Sequence, residues 1–149
     1  MRAIGNNTTL ALGLAGFFLW GNTALASDAG LVKTVKGDVR IERDDGISVP
    51  KPGSPVMVSD KVVTGADGSV GIALQDGTLL STGPNSTLTL NKFVFDTTTA
   101  KGVLDATLKK GTLSVISGKI SKTSQDAVTY RTPNAILGVR GTEFIIDAD

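Results

Sequence analysis

The chain has 149 residues, with 15 Lys and Arg against 14 Asp and Glu, no His, no Cys, one Trp and one Tyr. Without thiol or imidazole there is no Cys nucleophile, no Ser-His-Asp triad, no zinc site built on Cys or His, and no His general base. A near-neutral chain with few aromatic residues also lacks the phosphate-attracting charge and stacking faces of nucleic-acid binders, so no nucleic acid is expected as a partner.

Chain order begins with Met1-Arg2, an apolar or small run over 10–20 (LALGLAGFFLW) and the small-residue tail Thr23-Ala24-Leu25-Ala26. Charge, apolar stretch and small-x-small site together predict a signal peptide over 1–26, cut between Ala26 and Ser27. As a helix this run rises only about 16 Å against a hydrocarbon core of about 30 Å, so a cleaved leader is expected rather than an anchor. Arg2 is the only charge in the leader; its removal leaves 15 less one, or 14, basic side chains against 14 acidic. The mature chain, 27–149, is expected to be one domain, periplasmic or secreted, with no stable membrane anchor after cleavage. Its roughly 120 residues suffice for a core, which must hold without disulfides.

Short β-branched or alternating runs then follow one another: 38–43 (DVRIER), 61–64 (KVVT), 69–74 (SVGIAL), 78–80 (TLL), 86–90 (STLTL), 92–95 (KFVF), 112–116 (TLSVI), 127–131 (AVTYR), 136–139 (ILGV) and 143–146 (EFII). Such runs suit pleated, half-buried strands. Asp45-Gly46, Asp67-Gly68, Asp76-Gly77 and Gly83-Pro84-Asn85 supply the turns, with Asp76-Gly77 the clearest hairpin signal. Thr132-Pro133-Asn134 predicts one more reversal. The proline-rich segment 48–58 reads as an irregular edge loop. Segment 96–110 (DTTTAKGVLDATLKK) reads as at most one helical turn, or as a long loop or hairpin. The expected fold is all-β: a compact β-roll, solenoid-like or sandwich-like assembly of short strands. No repeat of fixed period is present.

Candidate sites are few. Arg140-Gly141-Thr142-Glu143 places two opposite charges among apolar neighbours. It reads first as a tight bend at Gly141 with Arg140 capping carbonyls or pairing with a carboxylate, and second as an anchor for a partner peptide or anion. Asp44-Asp45 and Asp60 lack a calcium-loop pattern and read as turn aspartates. Lys109-Lys110 and Lys119/Lys122 read as solvated strand ends. Glu42 and Glu143 are the only glutamates of the mature chain, and nothing nominates a paired carboxylate site, so neither catalysis nor any cofactor or metal is expected.

The order of motifs resembles the FecR domain. It comprises Asp60, Thr64-Gly65-Ala66-Asp67-Gly68, an apolar strand, Asp76-Gly77-Thr78-Leu79-Leu80, Pro84-Asn85-Ser86-Thr87-Leu88 and Lys110-Gly111-Thr112-Leu113. It closes with Thr132-Pro133-Asn134-Ala135 and Val139-Arg140-Gly141-Thr142-Glu143-Phe144. Gly37-Asp38-Val39 resembles the family's opening strand. The resemblance implies a β-rich periplasmic domain of signalling proteins that receives a signal from an outer-membrane receptor. In place of the family regulators' cytoplasmic segment and membrane helix, this chain shows an export signal. The resemblance therefore implies a fold and a recognition role, with an unidentified envelope or outer-membrane protein as partner, rather than sigma-factor control. Residues 50–55 and the segment 96–110 are the expected contact regions. The alternative is a module that binds a small ligand or polysaccharide, for which aromatic platforms are scarce.

Overall fold

The structure, a computed structural model, describes residues 28–124, 126–141 and 143–149. The expected leader with its cut between Ala26 and Ser27, and Thr142 of the closing motif, lie outside the described residues. The rest is almost entirely β, as the strand spacing predicts. The strands are β1 (Gly30–Lys36), β2 (Val39–Arg43), β3 (Gly46–Ser48), β4 (Pro55–Val56), β5 (Lys61–Thr64), β6 (Ser69–Leu74), β7 (Leu79–Thr82), β8 (Thr87–Phe95) and β9 (Gly102–Ile116). A single short helix, α1 (Lys119–Thr123), precedes β10 (Val128–Arg131), β11 (Ile136–Gly138) and β12 (Glu143–Ala148).

The strands form two layers joined through one strand. Layer A runs β4-β1-β6-β7-β9-β12, and layer B runs β3-β2-β5-β8-β9-β10-β11. The first half of β9 pairs with β8 and, in parallel, with β10. Its second half pairs antiparallel with β7 and β12. Period-two alternation turns one face of each layer inward. In β6, Val70, Ile72 and Leu74 are buried while Ser69, Gly71 and Ala73 are not. The core between the layers holds Val32, Ile41, Leu80, Leu104, Leu108, Leu113, Val115 and Tyr130, each almost fully covered. Tyr130 meets Phe144 edge to face with ring centroids 5.4 Å apart.

Of the readings of segment 96–110 the hairpin holds: the tip around Thr97–Lys101 is a turn, and from Gly102 onward the chain belongs to the longest strand of the fold, paired antiparallel back onto β8. Leu104, Ala106 and Leu108 supply the buried side of that strand. The runs 86–90 and 92–95 are one strand, β8, with a register shift between Leu90 and Lys92. Lys119 and Lys122 lie on α1 rather than at strand ends. The edge assignment of 48–58 is correct in outline, since β3 and the two-residue β4 close the outer borders of the layers. β1 itself, with Leu31, Lys33 and Thr34 all exposed, gives little alternation to read.

Candidate functional site

Most motif residues hold the fold. Gly65 N–H donates to the Asp38 carbonyl at 2.9 Å, and Gly68 N–H donates to Gly65 O at 3.0 Å. A Cβ on Gly68 would sit 2.1 Å from the Asp38 carbonyl oxygen, so the two strands can approach this closely only where that side chain is missing. The 64–68 motif therefore locks the β5–β6 connection onto the start of β2.

Asp76 is buried and fully employed. Its carboxylate accepts from Thr78 N–H at 3.0 Å, from Thr78 Oγ1 at 2.8 Å and from Ile120 N–H at 3.3 Å. Its carbonyl accepts from Lys119 N–H at 2.9 Å, and Thr78 Oγ1 accepts from Gly118 N–H at 3.2 Å. The β6–β7 hairpin thus caps α1 across the chain, which satisfies helix-start donors that α1 has no local side chain to meet. Gly77 completes the turn at φ +87.

Pro84 and Gly111 meet at Ser86. Ser86 Oγ accepts from Thr112 N–H at 3.0 Å and donates towards Pro84 O at 3.2 Å, and its N–H donates to Thr64 Oγ1 at 2.9 Å. Gly111, at φ +92, is the corner where β9 passes from one layer to the other. Thr132 and Pro133 open the β10–β11 turn, closed by Thr132 N–H to Ala135 O at 2.8 Å.

Two ion pairs that sequence reasoning missed brace layer B. Asp60, buried, takes a two-pronged grip from Arg43, with Nε–Oδ1 at 2.7 Å and Nη2–Oδ2 at 2.8 Å. It also accepts from Met57 N–H at 2.9 Å, so Asp60 is an anchor rather than the simple turn aspartate expected. The Asp60 hydrogen bond pushes the Arg43 guanidinium further above its ordinary range. Asp105 on β9 binds Arg131 on β10 at 3.1 Å and Asn91 at 2.9 Å. The Arg131 bond holds its carboxyl below the ordinary carboxylate value. Both partners lie on exposed faces of their strands, where alternation alone gives no pairing signal.

Arg140 behaves differently. Its side chain is 70% exposed, and its carboxylate partner, on the still more exposed Asp126, is 3.9 Å away. It caps no carbonyl among the described hydrogen bonds. Of the two expected structural roles only the pairing with a carboxylate is present, through Asp126, and a long exposed pair of this kind fixes little. Arg140 stands instead on the rim of a groove of about 590 Å³ with Ile116, Ser117, Ser121, Lys122, Gly141 and Glu143. Gly141 turns the chain here at φ +41. The Ser117 hydroxyl beside the groove is buried without a hydrogen-bond partner in the described structure. The groove thus offers two cations, one carboxylate, hydroxyls and an apolar patch at Ile116. It holds no aromatic platform: Phe93 and Tyr130 are buried, and Phe95 and Phe144 pack on the core. Lys122 and Ser121 reach it only because Asp76 pins α1, a long-range consequence that no local pattern announces.

Among the described residues, no group of three or more acidic side chains gathers in metal-ligand fashion, and no helix is long and apolar enough to cross a membrane. A FecR protein family model matches residues 60–149. No curated protein and no solved structure matches the chain.

Proposed function

The chain belongs to the FecR protein family, and from that premise we propose that it is an exported, non-catalytic recognition domain of the bacterial envelope. The groove at the closing motif is its protein-binding site. One observation carries the assignment. Gly65, Gly68, Asp76, Gly77, Pro84 and Gly111 are each consumed in holding turns, corners or α1, whereas Arg140 points outward with no strong partner. A guanidinium held only by a long, exposed ion pair on a groove rim can still take a carboxylate or a main-chain carbonyl of a bound segment. Lys122 adds a second cation, Glu143 selects against a wholly acidic partner, and Ile116 receives an apolar side chain. The site suits a mixed polar peptide surface such as an outer-membrane protein presents.

Of the expected contact regions, only residues 104–107 lie between two paired strands, β8 and β10, and so present no free edge to a partner.

The test compares the purified protein with Arg140→Ala against immobilised outer-membrane proteins, with thermal unfolding as the control for folding. We expect capture to fall about tenfold or more at an unchanged melting temperature, since an Arg anchor in an interface commonly carries that much. Equal capture by both proteins removes the groove as the site. Export is tested separately by N-terminal sequencing of the protein from a periplasmic fraction. A product beginning at Ser27 supports it, and a cytosolic product that retains residues 1–26 overturns it.

A further inference from the structure

The outer face of layer A carries a pattern that shares only Ile116 and Glu143 with the groove and otherwise lies apart from it. Its side chains fall in three cross-strand rows fixed by the hydrogen-bond register. The first row is Leu31, Ala73, Leu79, Ile116 and Glu143, and the second is Thr34, Gly71, Ser81, Ser114 and Ile145. The third begins with Lys36 beside Ser69 and ends with Thr112 beside Asp147, bridged by the Gly83 N–H to Thr112 O bond of 3.0 Å. Lys33 sits at the bulge of β1, between the first two rows.

Three properties of this face stand together. It is smooth, because glycine, alanine, serine and threonine fill its middle. It exposes Leu31, Leu79, Ile116 and Ile145, the last by 71%, on one continuous surface. Its two borders carry opposite charge, Lys33 and Lys36 on β1 against Glu143 and Asp147 on β12, and all four residues are exposed. A face with one basic and one acidic border cannot bring like borders together, but it complements itself when turned half a revolution.

We propose that this face is a self-association surface, on which two copies of the chain stack about a twofold axis that runs along the strands over β7. Rotation about that axis lays β1 of one copy over β12 of the second. Lys36 then faces Asp147 of the second copy, and Lys33 reaches Glu143 of the second copy. Within the rows, Ile116 lies over Ala73, Ile145 over Thr34, Ser114 over Gly71, and Leu31 over the aliphatic stem of Glu143. Leu79 and Ser81 lie on the axis and meet their own counterparts once. Every off-axis apposition is made twice, as a closed twofold interface requires. Stacked sheets of ordinary twist pack about 10 Å apart with strands within about 30° of each other, which this arrangement allows.

The size of the face sets the strength. Five strands spaced about 4.8 Å apart, each about 20 Å long, give a footprint on the order of 400 Å² per copy, about 800 Å² for the pair, which is below the size of stable specific interfaces and in the range of weak, transient ones. The dimer is therefore weak and concentration-dependent, and its border ion pairs make it sensitive to salt.

Sedimentation velocity of the purified protein from micromolar to millimolar concentration tests this directly. The weight-average mass is expected to climb towards twice the monomer, and less steeply at high salt. Leu79→Glu sets two carboxylates against each other on the axis and weakens association about tenfold or more, a loss of ~1.4 kcal/mol or greater. Lys36→Asp and Asp147→Lys each weaken it, and the double exchange K36D/D147K restores it. Leu79, Lys36 and Asp147 are exposed, so equal melting temperatures confirm that each variant folds. A monomer at every concentration overturns the proposal. Association indifferent to Leu79→Glu overturns it as well, as does failure of the double exchange to rescue, or capture of a different envelope protein by this face in a chain that never dimerises.

Discussion

Gly111 joins two demands on one residue. Its φ of +92 lies where a side chain is strained, and a Cβ there would stand 2.1 Å from Ser86 Oγ and 2.5 Å from Ser86 Cα. Because the obstacle includes backbone, it cannot simply swing away. Gly111→Ala is expected to cost about 2–4 kcal/mol, read by urea denaturation, whereas Gly46→Ala, with a positive φ but open space, should cost about 1 kcal/mol. Similar losses at both positions would show that the contact with Ser86 does not matter. Tyr130 offers a second residue-scale test because it is the chain's single tyrosine. Burial first, and the nearby Asp76 second, push its phenol above the ordinary value. The folded state thus holds that proton more tightly than the unfolded state. Its contribution is intact below the unfolded pKa of about 10 and disappears as pH rises above it. The phenolate absorbance should consequently appear only together with loss of the fold. A reversible phenolate signal near pH 10 from a protein still folded would contradict the burial of Tyr130.

Among the elements, β9 was the least legible and is the most connected. Leu104, Ala106 and Leu108 do alternate, but Val103 beside Leu104 mimics a helical pair, and Gly111 resets the parity before Leu113 and Val115. The turn-rich elements were readable because each carries its own chemistry: Asp76-Gly77 supplies a left-handed corner, and Thr132-Pro133 stops a strand. β10 is tied to β9 by parallel pairing and by the bond from Arg131 to Asp105, and parallel pairing leaves no hairpin signature in sequence. That bond also has a pH signature. The Arg131 guanidinium holds the Asp105 carboxyl below its unfolded value, so the stabilisation is present above about pH 4 and fades as pH falls through the lower folded value. Asp105→Asn should cost about 0.5–1 kcal/mol at pH 7, a modest figure because Arg131 is half in solvent, and the difference should shrink steadily as pH falls below about 4. A difference that persists in acid would mean that the pair acts through packing alone.

At the scale of the whole molecule, the all-β class and the turn positions follow from local residues, but the layering does not. Which strand sits beside which depends on pairings such as Gly30 with Leu74 and Leu79 with Ile116, and nothing in any single strand encodes them. The candidate site is legible in the same partial way. Arg140 could be singled out from its setting, yet its partners in the groove come from α1 and from the end of β9, which only the closed fold brings together. The N-terminal strands also matter beyond the matched span of 60–149: β1 covers the border of β6, and β2 covers that of β5. A fragment starting at Asp60 would bare both.

The position of β9 bears on what holds the two layers together. Apart from it, no strand pairing among the described residues links β4-β1-β6-β7 to β3-β2-β5-β8. Those eight strands all precede β9 in the chain, and the borders of β7 and β8 that it pairs with stay uncovered until the segment up to Ile116 is in place. Loss of β9 would therefore bare one inner border on each half of the molecule at once, where loss of any outer strand bares a single border.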